Sequence, residues 1–315
     1  MNLLRSFPIL VALAGFASLQ AEFASVVFTA MGCGPYTVEA EVALARFVRL
    51  ENEKGSSSFL IHCGDIVTGK NKDWPESQYA KVAGLLGDGN KIPTFIVPGD
   101  NEWNDQTDPD RHWGYWTKHF MSFDQKWQMP AGTTVARQKE RLENFSFTLD
   151  GVLFIGINHV GGLVHDKAEW KKRHAENASW VASQFSAHRE QSRAAVIFAQ
   201  ASAEREAPEF LNSFQGAAGD YQKPILYLHA DGHKWYVKNG HWAPNITHVQ
   251  LDVVNAVFPP VQVEVTTDAK KPFKFDRRLK DPEWRTQPEL KPKAKNAPAP
   301  KKKAKSKEKP RKKGR

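Results

Sequence analysis

The sequence predicts an α/β chain with its sheets inside and its helices outside. Three observations carry that expectation. Between residues 22 and 270, short apolar runs of strand length alternate with longer segments of helical periodicity. Several of those runs stop at glycine-bearing polar turns, the usual boundary of a buried strand. Finally, 315 residues at 41% apolar and 25% charged suffice for one sizeable core, while two cysteines exclude a disulfide-built scaffold and a cysteine-rich zinc module.

Taken in order, residues 1–21 read as a secretory signal peptide: one positive charge at Arg5, an apolar run from Phe7 to Leu19 and a cleavage point after Ala21. The run is too short to span a bilayer, and no later segment is long and apolar enough to do so. The mature chain is therefore expected outside the cytoplasm, in the periplasm, the medium or on the cell surface. Residues 25–30 form a short buried strand, followed by the turn Gly32-Cys33-Gly34-Pro35. A helix fits residues 37–53, with Ala40, Leu44, Phe47 and Val48 on one face. Residues 58–62 and 91–97 are the next strands. Asp150-Gly151 joins residues 145–149 to 152–157 as a two-residue hairpin. A helix around 169–186 precedes strands at 194–199 and 225–229, and residues 235–237, 248–253 and 261–265 read as antiparallel strands. No internal repeat is present.

The net charge of +9 is local. Residues 291–315 hold thirteen Lys/Arg and one acid, Glu308, a net +12, which leaves the remainder at −3. That distribution excludes a basic globular face built to grip a duplex. Residues 271–315 are rich in Lys, Pro and Ala and are expected to stay disordered. Residues 291–315 would cling to an anionic surface or polymer, or else serve only as a solubilising tail.

The strand ends carry the chemistry. His62-Cys63-Gly64-Asp65 follows the second strand, Gly99-Asp100-Asn101-Glu102-Trp103 the third, and His229-Ala230-Asp231-Gly232-His233 the strand at 225–229. Carboxylates and imidazoles at successive strand ends are the donor types a Mn, Fe or Zn site uses. Strand–Gly-Asp, strand–Gly-Asp-Asn-Glu-Trp, apolar strand, then strand–His-x-Asp-x-His resembles the skeleton of the calcineurin-like metallophosphoesterases, in their Gly-Asp-Asn-Glu-Trp branch. The likeness covers most of residues 24–255, Gly156-Ile-Asn-His-Val160 and Ala178-Ser-Trp-Val181 included.

The resemblance implies a four-layer αββα sandwich and hydrolysis of a phosphoester by a metal-bound hydroxide. Motif by motif, it makes Asp65 the bridging acid, Asn101 or Asp100 the third-strand ligand, His233 the last histidine, and Asp231 a ligand or general base. Asn101 would orient phosphate or metal. The first family motif is replaced by Cys33-Gly34-Pro35, the strand-four histidine by Gln200, and the first of the final histidine pair by Asp231. With that ligand set, one divalent ion is expected rather than two. A catalytically inactive binding or cell-surface module anchored by the basic tail is the alternative.

In the resembled fold Cys33 and Cys63 end neighbouring strands. They could form a disulfide, remain buried thiols, or offer Cys33 to a metal. Trp103, Trp113 and Trp116 are candidates for stacking on a base, sugar or aryl group, or else for packing their loop. Of the histidines at 112, 119, 159, 165 and 174, only His159 follows a strand closely enough to reach the site.

Overall fold

Strands that are apolar on both faces demand cover on both faces, and four layers supply it in the computed structural model, which describes residues 23–205 and 208–285. The first sheet contains β1 (Val26–Met31), β2 (Leu60–His62), β3 (Thr94–Ile96), β11 (Val261–Val265) and β12 (Phe273–Asp276). Its order is β12-β11-β1-β2-β3, with β1, β2 and β3 parallel. The second contains β4 (Ala136–Arg137), β5 (Phe145–Leu149), β6 (Val152–Gly156), β7 (Ala194–Phe198), β8 (Ile225–His229), β9 (Tyr236–Asn239) and β10 (Ile246–Gln250). Its order is β4-β5-β6-β7-β8-β10-β9, with a parallel run from β6 through β10. Parallel runs align the carboxyl ends of their strands on one edge, which is where loops can pool polar side chains.

Phenylalanines from both sheets fill the space between them. Phe59 stacks on Phe28 at 5.1 Å and meets Phe147 and Phe154 edge-on at 5.2 and 4.9 Å. Helices α1 (Val38–Lys54), α2 (Glu76–Gly87) and α3 (Pro109–Phe120) cover the outside of the first sheet through Leu44, Phe47, Tyr79, Leu86, Trp116 and Phe120. Helices α4 (Lys167–His188) and α5 (Pro208–Tyr221) cover the second through Val181, Phe185, Phe210 and Phe214. This is the αββα sandwich.

Local signals account for the predicted elements. The Thr37 hydroxyl caps α1 by accepting from Ala40 N at 3.2 Å. Asp150 and Gly151 both take positive φ, 44° and 70°, as a two-residue hairpin between β5 and β6 requires. Helices α2, α3 and α5 and strands β4 and β12 were not foreseen, although Asp108 before Pro109 is a readable start for α3, capping Arg111 N. Strand β10 was expected to be antiparallel throughout. It is antiparallel to β9 but parallel to β8. Among the described residues no helix is long and apolar enough to cross a membrane; residues 1–21 lie outside them.

The structure also moves the expected boundary at residue 270. β12 pairs with β11, the Arg278 guanidinium sits 2.6 Å from the buried Glu51 carboxylate, and Trp284 packs on Phe47 with Arg278 3.7 Å above its ring. Apolar side chains at 273, 275 and 284 among the lysines and prolines make residues 273–284 part of the fold. Ending the chain after Lys270 strands Glu51 as an unpaired buried charge and should cost about 3 kcal/mol. Ending it after Arg285 should leave the unfolding midpoint in urea unchanged.

Candidate active site at the strand ends

Two loops are locked together before any catalytic side chain is placed. Gly64 (φ 79°) lets the β2 loop pass so close to the β3 loop that a Cβ there would lie 2.6 Å from Gly99 N. The carboxylate of Glu102 then braces both loops, its Oε1 accepting from Gly99 N at 2.6 Å and from Asp65 N at 3.2 Å. Asp65, Asp231 and His233 all have left-handed backbones, with φ of 60°, 30° and 59°. Three strained non-glycine residues, one after β2 of the first sheet and two after β8 of the second, are the kind of backbone that functional sites hold in place.

Asp65 is the hub. Its Oδ2 accepts from Cys33 Sγ and the Tyr36 hydroxyl, each at 3.3 Å, and from Gln200 Nε2 at 3.2 Å; its Oδ1 accepts from Asn101 N at 3.2 Å. Gln200 Nε2 also donates to Asp100 Oδ1 at 2.8 Å. Gly161 N donates to Gln200 Oε1 at 2.8 Å, and this fixes which end of the amide faces the acids. The Tyr36 oxygen also lies 3.3 Å from His233 Nε2. Ligand-type atoms of Asp65, Asp100 and Asp231 lie within 4.8 Å of one another, and so do those of Cys33, Asp65 and His233, the two groups sharing Asp65. Arg205 stands at the rim, 3.5 Å from Asp231 Oδ2 and half exposed.

The electrostatics follow from burying acids together. Loss of water, then the charge of Glu102, pushes Asp65 up to about 7. Burial and then Asp65 push Asp100 well above the ordinary carboxylate range. Glu102 rises to about 8, mainly through burial, against the pull of the Gly99 N–H. The Cys33 thiol is raised by burial and next by Asp65, so it keeps its hydrogen at neutral pH. His233 is lowered by desolvation, partly offset by Asp231.

The structure thus brings together Asp65, Asp100, Asp231, His233 and Cys33. Asn101 reaches the cluster only through its backbone N–H, while its side-chain oxygen lies against Gly69. Of the three readings open for the cysteines, the structure has the buried free thiols, Cys33 turned to Asp65 and Cys63 in the apolar layer between the sheets. Titrating denatured, unreduced protein should therefore give two thiols per chain; no reactive thiol would restore the bridge. The tryptophans pack on one another. Trp113 stacks on Trp116 at 5.1 Å and tilts against Trp103 at 4.9 Å, and Trp103 and Trp116 are buried. His159 is buried under α5, its Nε2 3.2 Å from Ser202 O and its ring against Phe210. Sequence reasoning missed Tyr36 and Arg205, and it took Gln200 only as the replacement of a histidine, whereas its amide is the donor that ties two acids together. The sole hint was position, Tyr36 just past the first glycine turn and Gln200 just past an apolar strand.

No protein-family model matches the chain, and no curated protein sequence does. Solved structures do. GAP50, titled the anchor in the inner membrane complex of Plasmodium, superposes with a TM-score of 0.51 at 13% identity, over 80% of this chain and 84% of that one. A dimetal phosphatase from Danio rerio gives 0.56 at 10% identity, over 79% and 98%. A 5'-nucleotidase from Candida albicans gives 0.46 at 12% identity, over 81% of this chain and 51% of that one. At such identities the likeness is one of architecture, and the chain has the α/β sandwich fold of the metallophosphoesterase type.

Proposed function

We propose that the protein is a phosphoester hydrolase that holds one divalent cation on Asp65, Asp100 and Asp231. The observation that carries this is three carboxylates within 4.8 Å, two of them buried. Their mutual repulsion and desolvation are what a bound cation relieves, and an all-oxygen set suits Mn best among Mn, Fe and Zn. A second ion does not fit the other group. The Cys33 thiol is held protonated against Asp65, and Pro35 beside it has no donor to offer.

The cation would supply Lewis-acid polarisation of a phosphoryl oxygen. The chain's own residues do the rest. Arg205, already at the rim, grips a second phosphate oxygen. Tyr36 orients His233, which takes a proton from the water that adds to phosphorus and returns it to the ester oxygen that departs. Gln200 and the Asn101 N–H hold the carboxylates in place. The test is turnover of p-nitrophenyl phosphate and bis(p-nitrophenyl) phosphate with Mn2+. Hydrolysis that requires the cation supports the reading, and none with either substrate overturns it.

A second reading rests on one observation. Three side-chain donors already occupy Asp65 Oδ2, an arrangement that also suits a non-catalytic module such as GAP50, the anchor in the inner membrane complex of Plasmodium. In either case we place the protein outside the cytoplasm on the pattern of residues 1–21, and assign residues 291–315 to an anionic surface. A chain ended after Arg285 should lose salt-sensitive binding to vesicles rich in anionic lipid; unchanged binding would clear the tail of that role.

A further inference from the structure

The outer face of the second sheet gathers rings that hydrolysis does not use. Strand alternation sends Leu226 and Leu228 of β8 and Val249 of β10 into the inter-sheet core, which turns His229 and His248 to the other side. Both histidines are buried. Their Nε2 atoms lie 2.8 Å apart, and the Tyr236 hydroxyl oxygen lies 3.0 Å from the first and 3.2 Å from the second. Trp242 stacks on His248 at 4.1 Å, and His241, partly open to solvent, also stacks on His248 at 5.2 Å.

The hydrogens available to this triangle do not satisfy it. Two Nε2–H groups cannot face each other at 2.8 Å, so at most one ring brings a hydrogen to the centre. Tyr236 brings one more. Three close contacts therefore share at most two hydrogens, and one contact is left without a hydrogen of its own. His248 Nδ1 has no hydrogen-bond partner among the described residues, while the Gln200 backbone acts on the His229 ring as an acceptor, which leaves the His229 Nε2 lone pair for the centre. A cation at the centre would engage all three lone pairs at once. Around an ion about 2.0–2.1 Å from its ligands, neighbouring ligands stand roughly 2.9–3.4 Å apart; the two Tyr236 edges fall in that range, and the edge between the histidines, at 2.8 Å, has only to open slightly.

We propose that His229, His248 and Tyr236 form a transition-metal site, distinct from the acid cluster, that takes zinc. Two imidazoles and a phenol suit a borderline ion rather than a hard one. The partly exposed His241 beside His248 marks the way in, and solvent or that ring completes the coordination. Lys238, 4.8 Å above the Tyr236 ring, is the nearby positive charge against which the site must bind.

The test keeps the acid cluster out of the measurement. Full-length protein carrying Asp65→Asn and Asp231→Asn is titrated with Zn2+ by calorimetry, and with Co2+ by visible absorption. One ion per chain is expected, with a Co2+ spectrum of low coordination number. Adding His248→Gln should weaken Zn2+ binding at least 100-fold, and adding Tyr236→Phe should weaken it about tenfold. If His248→Gln does not fold, Tyr236→Phe on the more exposed β9 decides the question. Absence of Zn2+ binding in the double variant, or affinity unchanged by the decisive substitution, overturns the site and leaves a packed ring cluster.

Discussion

Asp65→Asn should abolish Mn2+ binding at the acid cluster and lower Mn2+-supported phosphoester turnover by on the order of 10³, the several kcal/mol that a Lewis acid supplies to the developing charge. Asp65 belongs to both groups of ligand-type atoms, and it is the acid on which Cys33, Tyr36, Gln200 and the Asn101 N–H converge. Asparagine keeps the shape but removes the charge, and its NH2 meets donors where an acceptor stood. The fold should survive, because the loop junction is braced by Glu102 rather than by the Asp65 carboxyl. Circular dichroism and turnover on the same sample separate the outcomes. A folded variant with undiminished turnover would remove Asp65 from the chemistry. Asp231→Asn should cost less, since Asp231 sits at the more open edge beside Arg205.

Without divalent cations, stability should peak near pH 6–6.5 and fall on either side, and added Mn2+ should move the peak upward. The alkaline limb belongs to the carboxyls. Asp65 at about 7, Glu102 at about 8 and Asp100, also raised, bind protons more tightly folded than unfolded. Their contribution is complete below the ordinary carboxylate value near 4 and is lost as pH rises through the folded values. The acid limb belongs to buried histidines held neutral. Burial lowers His62 and His174 to about 4, His229 to about 3 and His248 to about 2. Their contribution is present above about 6.5 and is lost as pH falls below it. The alkaline fall should amount to a few kcal/mol, shared among coupled acids. Urea unfolding from pH 4 to 9, with EDTA and then with Mn2+, reads both limbs. A stability that rises from pH 6.5 to 8.5 in EDTA would contradict the electrostatics of the site.

The sandwich was legible because its strands are short, apolar on both faces and closed by glycine turns, and because α1 and the β5–β6 hairpin carry their own caps and turn residues. Helices α2 and α3 were harder, since their buried faces are built from Tyr79, Trp116 and Phe120 set among polar residues. The second sheet's order was not local information. β10 pairs with β8 across the intervening β9, which no spacing in the sequence announces. In the site, Asp65, Asp100, Asp231 and His233 could be read from their places after strands. The left-handed backbones that turn Asp65, Asp231 and His233 toward one point could not. Gln200 shows the limit most clearly. As a residue type it argues against a metal ligand, and only its geometry shows it holding two acids by one NH2 group.

The central claim, one cation on three carboxylates rather than a coupled pair, is tested most directly by electron paramagnetic resonance of the protein titrated with Mn2+. One tightly bound Mn2+ per chain with the spectrum of an isolated ion, lost in Asp65→Asn, is the predicted result. An exchange-coupled two-ion spectrum, or no bound Mn2+ in the unmodified protein, would contradict it.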